Sequence, residues 1–204
     1  MPIYERVNIA NVLAPKQPAA GRTKIIGVDG HGGSGKSTLA ELIACQFHGE
    51  IIHTDDFASW DNPKNWWPQL IACVLRPIAD GAETLSYPRS QWWPDHHPEP
   101  VVDQPVTEVL ILEGVSALRH EFRRYLTLGI FVTAPLEICL DRGLTRDADQ
   151  GTKEEILKKW QQWYEDEEGY IQRDDPEDYA EVVLDGTRPF EEQLLLTRMG
   201  SSDE

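Results

Sequence analysis

The chain has 204 residues, with 35 Asp and Glu against 19 Lys and Arg and a formal net charge of −16. That length is one domain's worth. The 40% apolar content supports a core and excludes global disorder, while the acidity excludes a general binder of nucleic-acid backbones. No apolar run approaches the ~18–20 residues of a membrane span, and the first ten residues lack the basic start and apolar stretch of a signal peptide. The sequence thus reads as a soluble, cytoplasmic α/β protein without membrane partners.

Residues 1–20 form a leader with one short helical pattern, Tyr4 to Leu13, and a Pro/Ala/Gln connector. Residues 21–204 read as a single domain. Lys24 to Asp29 (KIIGVD) is a buried-strand pattern ended by glycines, and Ser37 to Phe47 follows at helical spacing with Leu39, Leu42, Ile43 and Phe47 on one face. Glu50 to Thr54 is a second strand. Trp67 to Ala79 is a helix with Leu70, Val74, Leu75 and Ile78 on its apolar side. Glu108 to Leu112, Leu128 to Val132 and Glu181 to Asp185 are three more short apolar strands. Between the last two lie a helix from Pro135 to about Arg146 and a longer one from Lys153 to about Gly169, with Ile156, Trp160, Trp163 and Tyr164 as a core stripe. Strands alternating with helices predict a parallel sheet covered on both faces. The three cysteines, Cys45, Cys73 and Cys139, read as small buried apolar residues of a reduced compartment.

Gly30-His31-Gly32-Gly33-Ser34-Gly35-Lys36-Ser37, followed by Thr38, matches G-x-x-x-x-G-K-[ST] in full, between a strand and a helix. Its glycines let successive N–H groups turn toward one concavity, and the helix N-terminus adds positive charge. Lys36 then reaches the β- and γ-phosphates, and the Ser37 hydroxyl ligates Mg²⁺. The fold class is accordingly that of P-loop NTPases, with a parallel five-stranded sheet sandwiched by helices. The chain has neither an N-K-x-D guanine-reading motif nor an apolar strand ending in Asp-Glu. Instead its second strand ends in Thr54-Asp55-Asp56-Phe57 and its third in Leu112-Glu113-Gly114, where doubly wound folds border their ligand crevice.

The ordered set IIGVDGHGGSGKSTLA (25–40), HTDDF (53–57), ILEGVSAL (111–118), DRGLTRD (141–147) and DPEDYAEVVLDG (175–186) resembles the uridine kinase family. Relatives within that family act on nicotinamide riboside, pantothenate and phosphoribulose. The resemblance implies ATP and Mg²⁺ as cofactors and a nucleoside-like small molecule with a free hydroxyl as acceptor. It implies that Asp55 accepts the acceptor's hydroxyl proton and that Glu113 joins Ser37 near Mg²⁺. It also implies that Arg142 and Arg146, on a small helical lid at about residues 141–153, close over the phosphate in transfer. Asp56 competes with Asp55 for the base role. Asp55 also has the plainer reading of a helix cap, and Glu113 that of a solvated strand end. The two arginines are four apart and so share one helix face. Further family arginines after the Arg-Asp pair are missing here, leaving Lys153 as a substitute.

The acceptor region departs more. Where the family often has Tyr-Asp, this chain has Tyr87-Pro88-Arg89, followed by Trp92, Trp93, His96 and His97. Asp56, Tyr87, Arg89 and His96 are the candidate acceptor-binding residues. Five tryptophans, at 60, 66, 67, 92 and 93, offer either a stacking surface or loop packing against the core. Two alternatives remain open: the same transfer to nicotinamide riboside, pantothenate or a sugar, and a nucleotide-binding regulatory protein without kinase activity. The sequence leaves oligomeric state unspecified.

Overall fold

The computed structural model describes residues 6–59, 62, 65–90 and 101–195. A first helix, α1 (Ile9–Leu13), is followed by β1 (Lys24–Asp29), α2 (Lys36–Phe47) and β2 (Glu50–His53). α1 is shorter than the Tyr4–Leu13 pattern because the Asn8 side chain caps it, accepting from the Asn11 N–H at 3.1 Å. Just before that cap, Val7 bridges Leu194. Helix α3 (67–79) runs through Trp67–Leu70, a π turn at Ile71–Leu75, and Arg76–Ala79. The π turn ends two residues ahead of Pro77 and lets the helix carry that residue, which has no N–H to donate.

Strands β3 (Thr84–Pro88) and β4 (Val101–Pro105) then pair antiparallel, from Thr84 opposite Pro105 to Pro88 opposite Val101. The remaining elements are β5 (Val109–Glu113), α4 (His120–Arg123), β6 (Leu128–Thr133), α5 (Leu136–Arg146), α6 (Lys153–Asp174), α7 (Pro176–Tyr179), β7 (Val182–Asp185) and α8 (Phe190–Gln193).

Five strands form one parallel sheet in the order β2-β5-β1-β6-β7, flanked by helices. Alternation along each strand feeds two cores. Ile25, Leu110 and Leu112 point into the one under α3, and Ile26, Val28, Ile111 and Ile130 into the one under α2. Strands buried on both faces read as continuous apolar runs, which is why the central ones are legible by composition alone.

Three sequence expectations are corrected here. Cys45 is exposed: α2 buries Leu39, Ala40 and Ile43, and Cys45 falls on the opposite side. Cys73 is partly buried, and only Cys139 is fully so. α6 runs past Gly169 to Asp174, because no neighbouring atom crowds Gly169 and Tyr170 and Asp174 are anchored in the interior.

Candidate active site

The phosphate loop leaves β1 and enters α2, with Gly30, Gly33 and Gly35 at φ of 143°, 83° and 107°. These angles strain any side-chain-bearing residue. At two of the three positions the space is also closed: a Cβ on Gly30 would lie 2.3 Å from the Val132 carbonyl oxygen, and one on Gly33 2.3 Å from that of Cys139. Lys36 is buried, and its Nζ donates to the His31 carbonyl at 2.9 Å. The loop is fixed from below by Asp29, whose buried carboxylate accepts from the N–H groups of Gly30 (2.7 Å), Ser116 (3.1 Å) and Leu118 (2.7 Å) and from the Tyr170 hydroxyl (2.6 Å). Burial pushes the Asp29 pKa up while those donors pull against it.

Strand register brings the acids together. His53 of β2 lies opposite Glu113 of β5, and Glu113 opposite Val28 of β1. The Ser37 hydroxyl donates to Glu113 Oε1 at 3.0 Å, and His53 Nδ1 lies 2.7 Å from Glu113 Oε2. Burial would raise the Glu113 pKa. The hydrogen bond from His53, with help from Lys36 and Ser37, outweighs it and holds the carboxyl below its usual range. His53 moves the opposite way: burial lowers its pKa, but the bond to Glu113 and the charges of Glu113, Asp56 and Asp55 raise it.

Asp55 follows on a short 3₁₀ turn, Thr54–Asp56, at the mouth of the cleft. Its side chain is open to water even though cleft walls crowd around it, and the water limits the desolvation they impose. The net direction is upward, driven by desolvation and by Glu113 and opposed by Lys36, His53 and Arg146. Asp56, by contrast, is buried, accepting from the Tyr87 hydroxyl at 3.2 Å and pairing with Arg89 Nε at 2.8 Å.

Arg142 and Arg146 both face this cleft from α5. Arg142 donates to the carbonyls of Gly33 (3.2 Å) and Gly186 (3.0 Å). Arg146 pairs with Asp147 at 2.7 Å, stacks over Trp160 at 5.4 Å and acts electrostatically on Asp55 and Glu113. Lys36, Ser37, His53, Asp55, Asp56, Arg89, Glu113, Arg142 and Arg146 line one open cleft of about 1370 Å³, together with Thr38, Trp66 and Arg119.

Several expected residues stand elsewhere. Tyr87 is buried under Asp56, stacked on Phe57 at 4.8 Å, and reaches the cleft only through that carboxylate. Lys153 is exposed at the start of α6 and does not line the cleft. Trp66 is buried against Phe122, and Trp67 carries the Arg119 guanidinium at 4.9 Å, so both pack rather than present a free ring face. His96, His97, Trp60, Trp92 and Trp93 lie outside the described residues.

Sequence reasoning gave no role to Asp29, His53 or Glu167. Asp29 and His53 stand inside the quoted stretches, but only strand register shows what they face. Glu167 sits in a run of acids, and the phase of α6 selects it.

No family model matches the chain. By sequence it is 29% identical over 160 residues to the uridine kinase of Shewanella frigidimarina, covering 67% of this chain and 75% of that one. It is 25% identical over 202 residues to the uridine kinase of Shewanella putrefaciens, covering 86% and 94%. Among solved structures it is similar to a "possible uridine kinase" from Bacillus stearothermophilus (TM-score 0.58, 20% identity, 86% and 94% covered). It is also similar to a sugar kinase from Janibacter sp. HTCC2649 (TM-score 0.50, 19% identity, 84% and 90% covered). The sheet order, the phosphate loop and these relatives define the chain as a P-loop small-molecule kinase. Within that class it is uridine kinase-like, as the ordered motifs imply.

Proposed function

We propose that the protein transfers the γ-phosphate of ATP to a hydroxyl of a nucleoside-like acceptor. The observation that carries this reading is the convergence of Ser37 and His53 on the Glu113 carboxylate, at 3.0 and 2.7 Å, beside a water-accessible Asp55 and the phosphate loop. A hydroxyl and a carboxylate held together are hard oxygen donors that suit Mg²⁺. Ser37 and Glu113 would hold that ion, which when bound neutralises charge on the outer phosphates.

The protein's own groups do the rest. Loop amides and Lys36 orient the donor, and Asp55 takes the proton of the acceptor hydroxyl, since its raised pKa makes it more basic than Glu113. Asp56 is committed to Tyr87 and Arg89, which favours Asp55 as the base and leaves Asp56 and Arg89 to contact the acceptor. Arg142 and Arg146, which line the same cleft, would neutralise the phosphate in flight.

The test incubates the protein with Mg-ATP and a panel of nucleosides, sugars and vitamins, beside Asp55→Asn. Product is expected with a nucleoside-like acceptor, and the variant should lose about 10²–10⁴-fold in turnover with little change in ATP affinity. Near-normal turnover in Asp55→Asn removes Asp55 as the base. Product with a sugar or vitamin alone reassigns the acceptor. ATP binding with no product on any compound favours a regulatory nucleotide binder.

A further inference from the structure

Helix α6 lays one face across the phosphate loop. Trp160 stands 3.0 Å from where a Gly32 Cβ would be, and the Tyr164 hydroxyl makes a long 3.5 Å contact with the Gly32 carbonyl. One further turn along the same face, the Glu167 carboxylate accepts the Gly32 N–H at 3.2 and 3.3 Å and lies 3.0 Å from His31 Nδ1. Its side chain is only 11% exposed. A backbone amide of the anion-binding loop is therefore already engaged by an anion from the protein itself.

The position of that amide within the loop matters. In this motif the lysine amine reaches the β- and γ-phosphates. Here Lys36 Nζ is bonded to the His31 carbonyl, one residue from Gly32. The His31–Gly32 turn thus borders the outer-phosphate end of the cradle, and Glu167 occupies that end. A phosphate oxygen brought to this N–H meets the Glu167 carboxylate already on it, and their like charges repel at contact distance. On this placement a diphosphate would end short of the turn, whereas a triphosphate would have to turn Glu167 off Gly32 before its last phosphate docks.

We infer that Glu167 is a nucleotide-discriminating residue, an internal anion that competes with the γ-phosphate for the Gly32 amide and so weakens triphosphate binding relative to diphosphate. This rests on the phosphate-loop reading of the proposed function but not on the phosphotransfer step. One consequence is sensitivity to the ATP/ADP ratio, because the product nucleotide escapes the competition.

Calorimetric titration of the full chain with Mg-ATP and with Mg-ADP, without acceptor, tests the idea in wild type, Glu167→Gln and Glu167→Ala. The Gln variant keeps an acceptor for Gly32 and removes only the charge, so a folding defect in the Ala variant would not obscure the result. Both substitutions should tighten Mg-ATP by roughly tenfold, the scale of one charge-assisted contact, and leave Mg-ADP within about twofold of wild type. Equal tightening of both nucleotides, or weaker Mg-ATP binding in Glu167→Gln, overturns the inference while sparing the loop reading. If wild type and both variants bind neither nucleotide, the loop reading itself falls and takes this inference with it.

Discussion

Asp55 and Glu113 share one cleft, yet their surroundings push them in opposite directions. Glu113 is stabilised as a carboxylate chiefly by His53, with Lys36 and Ser37 beside it. Asp55 has no such hydrogen-bonding partner among the described residues, is crowded by the cleft walls, and feels the Glu113 charge. A base must be ionised to accept a proton, so activity requires a pH above the Asp55 pKa and is lost as pH falls through it. Because that pKa is raised, the acid limb of kcat/KM should lie above the ordinary aspartate value of about 3.9. Glu113, being lowered, stays charged across the same range and adds no second limb there. A pH–rate profile, with circular dichroism to exclude unfolding, checks this. A limb at or below the ordinary value would mean that Asp55 is not the titrating base.

At the level of whole elements, α5 and α6 meet at Gly143, which has no room for a side chain. A Cβ there would lie 2.3–2.5 Å from three atoms of the buried Trp160 ring. Alanine in a helix interior gains about 1 kcal/mol over glycine, whereas overpacking a filled core costs about 1–3 kcal/mol. Trp160 cannot step aside freely, because its Nε1 donates to Asp147 at 3.0 Å and its ring carries Arg146. Gly143→Ala should therefore destabilise the protein, lowering Tm by roughly 2–4 °C for each kcal/mol lost, and should displace Arg146 from the cleft. An unchanged or higher Tm would show that helix propensity outweighs packing here.

These same elements mark where the sequence is readable. β1, β5 and the phosphate loop fall within a residue of their expected bounds, because a strand buried on both faces and a glycine-rich turn each leave a local signal. The β3–β4 pair leaves almost none: its strands are short, half-exposed and end in proline. Glu167 lies between these extremes. The stripe Ile156, Trp160, Tyr164 continues at helical spacing to Glu167 and Tyr170, so the face was present in the sequence. What lies opposite it depends on how α6 crosses the loop, a long-range fact that no local pattern contains.

Over the whole molecule, the charge is spread unevenly in a way that bears on binding rate. From Asp147 onward there are 18 acidic and 6 basic residues, while residues 20–50, which contain the phosphate loop, hold three of each. An incoming Mg-nucleotide is itself anionic, so at long range it meets a repulsive field, and it gains Lys36, Arg142 and the loop amides only at contact. Salt acts on the two stages differently. With a Debye length of about 8–10 Å at 0.1–0.15 M, it screens the distant carboxylates far more than groups a few ångströms from the phosphates. Stopped-flow measurement should therefore show the association rate of Mg-ATP rising severalfold between ~20 and ~200 mM salt, with the dissociation rate changing much less. A steep fall in the association rate over that range would mean that the cleft projects a positive field beyond the acidic surface, and that the local basic groups, rather than the overall charge, govern approach.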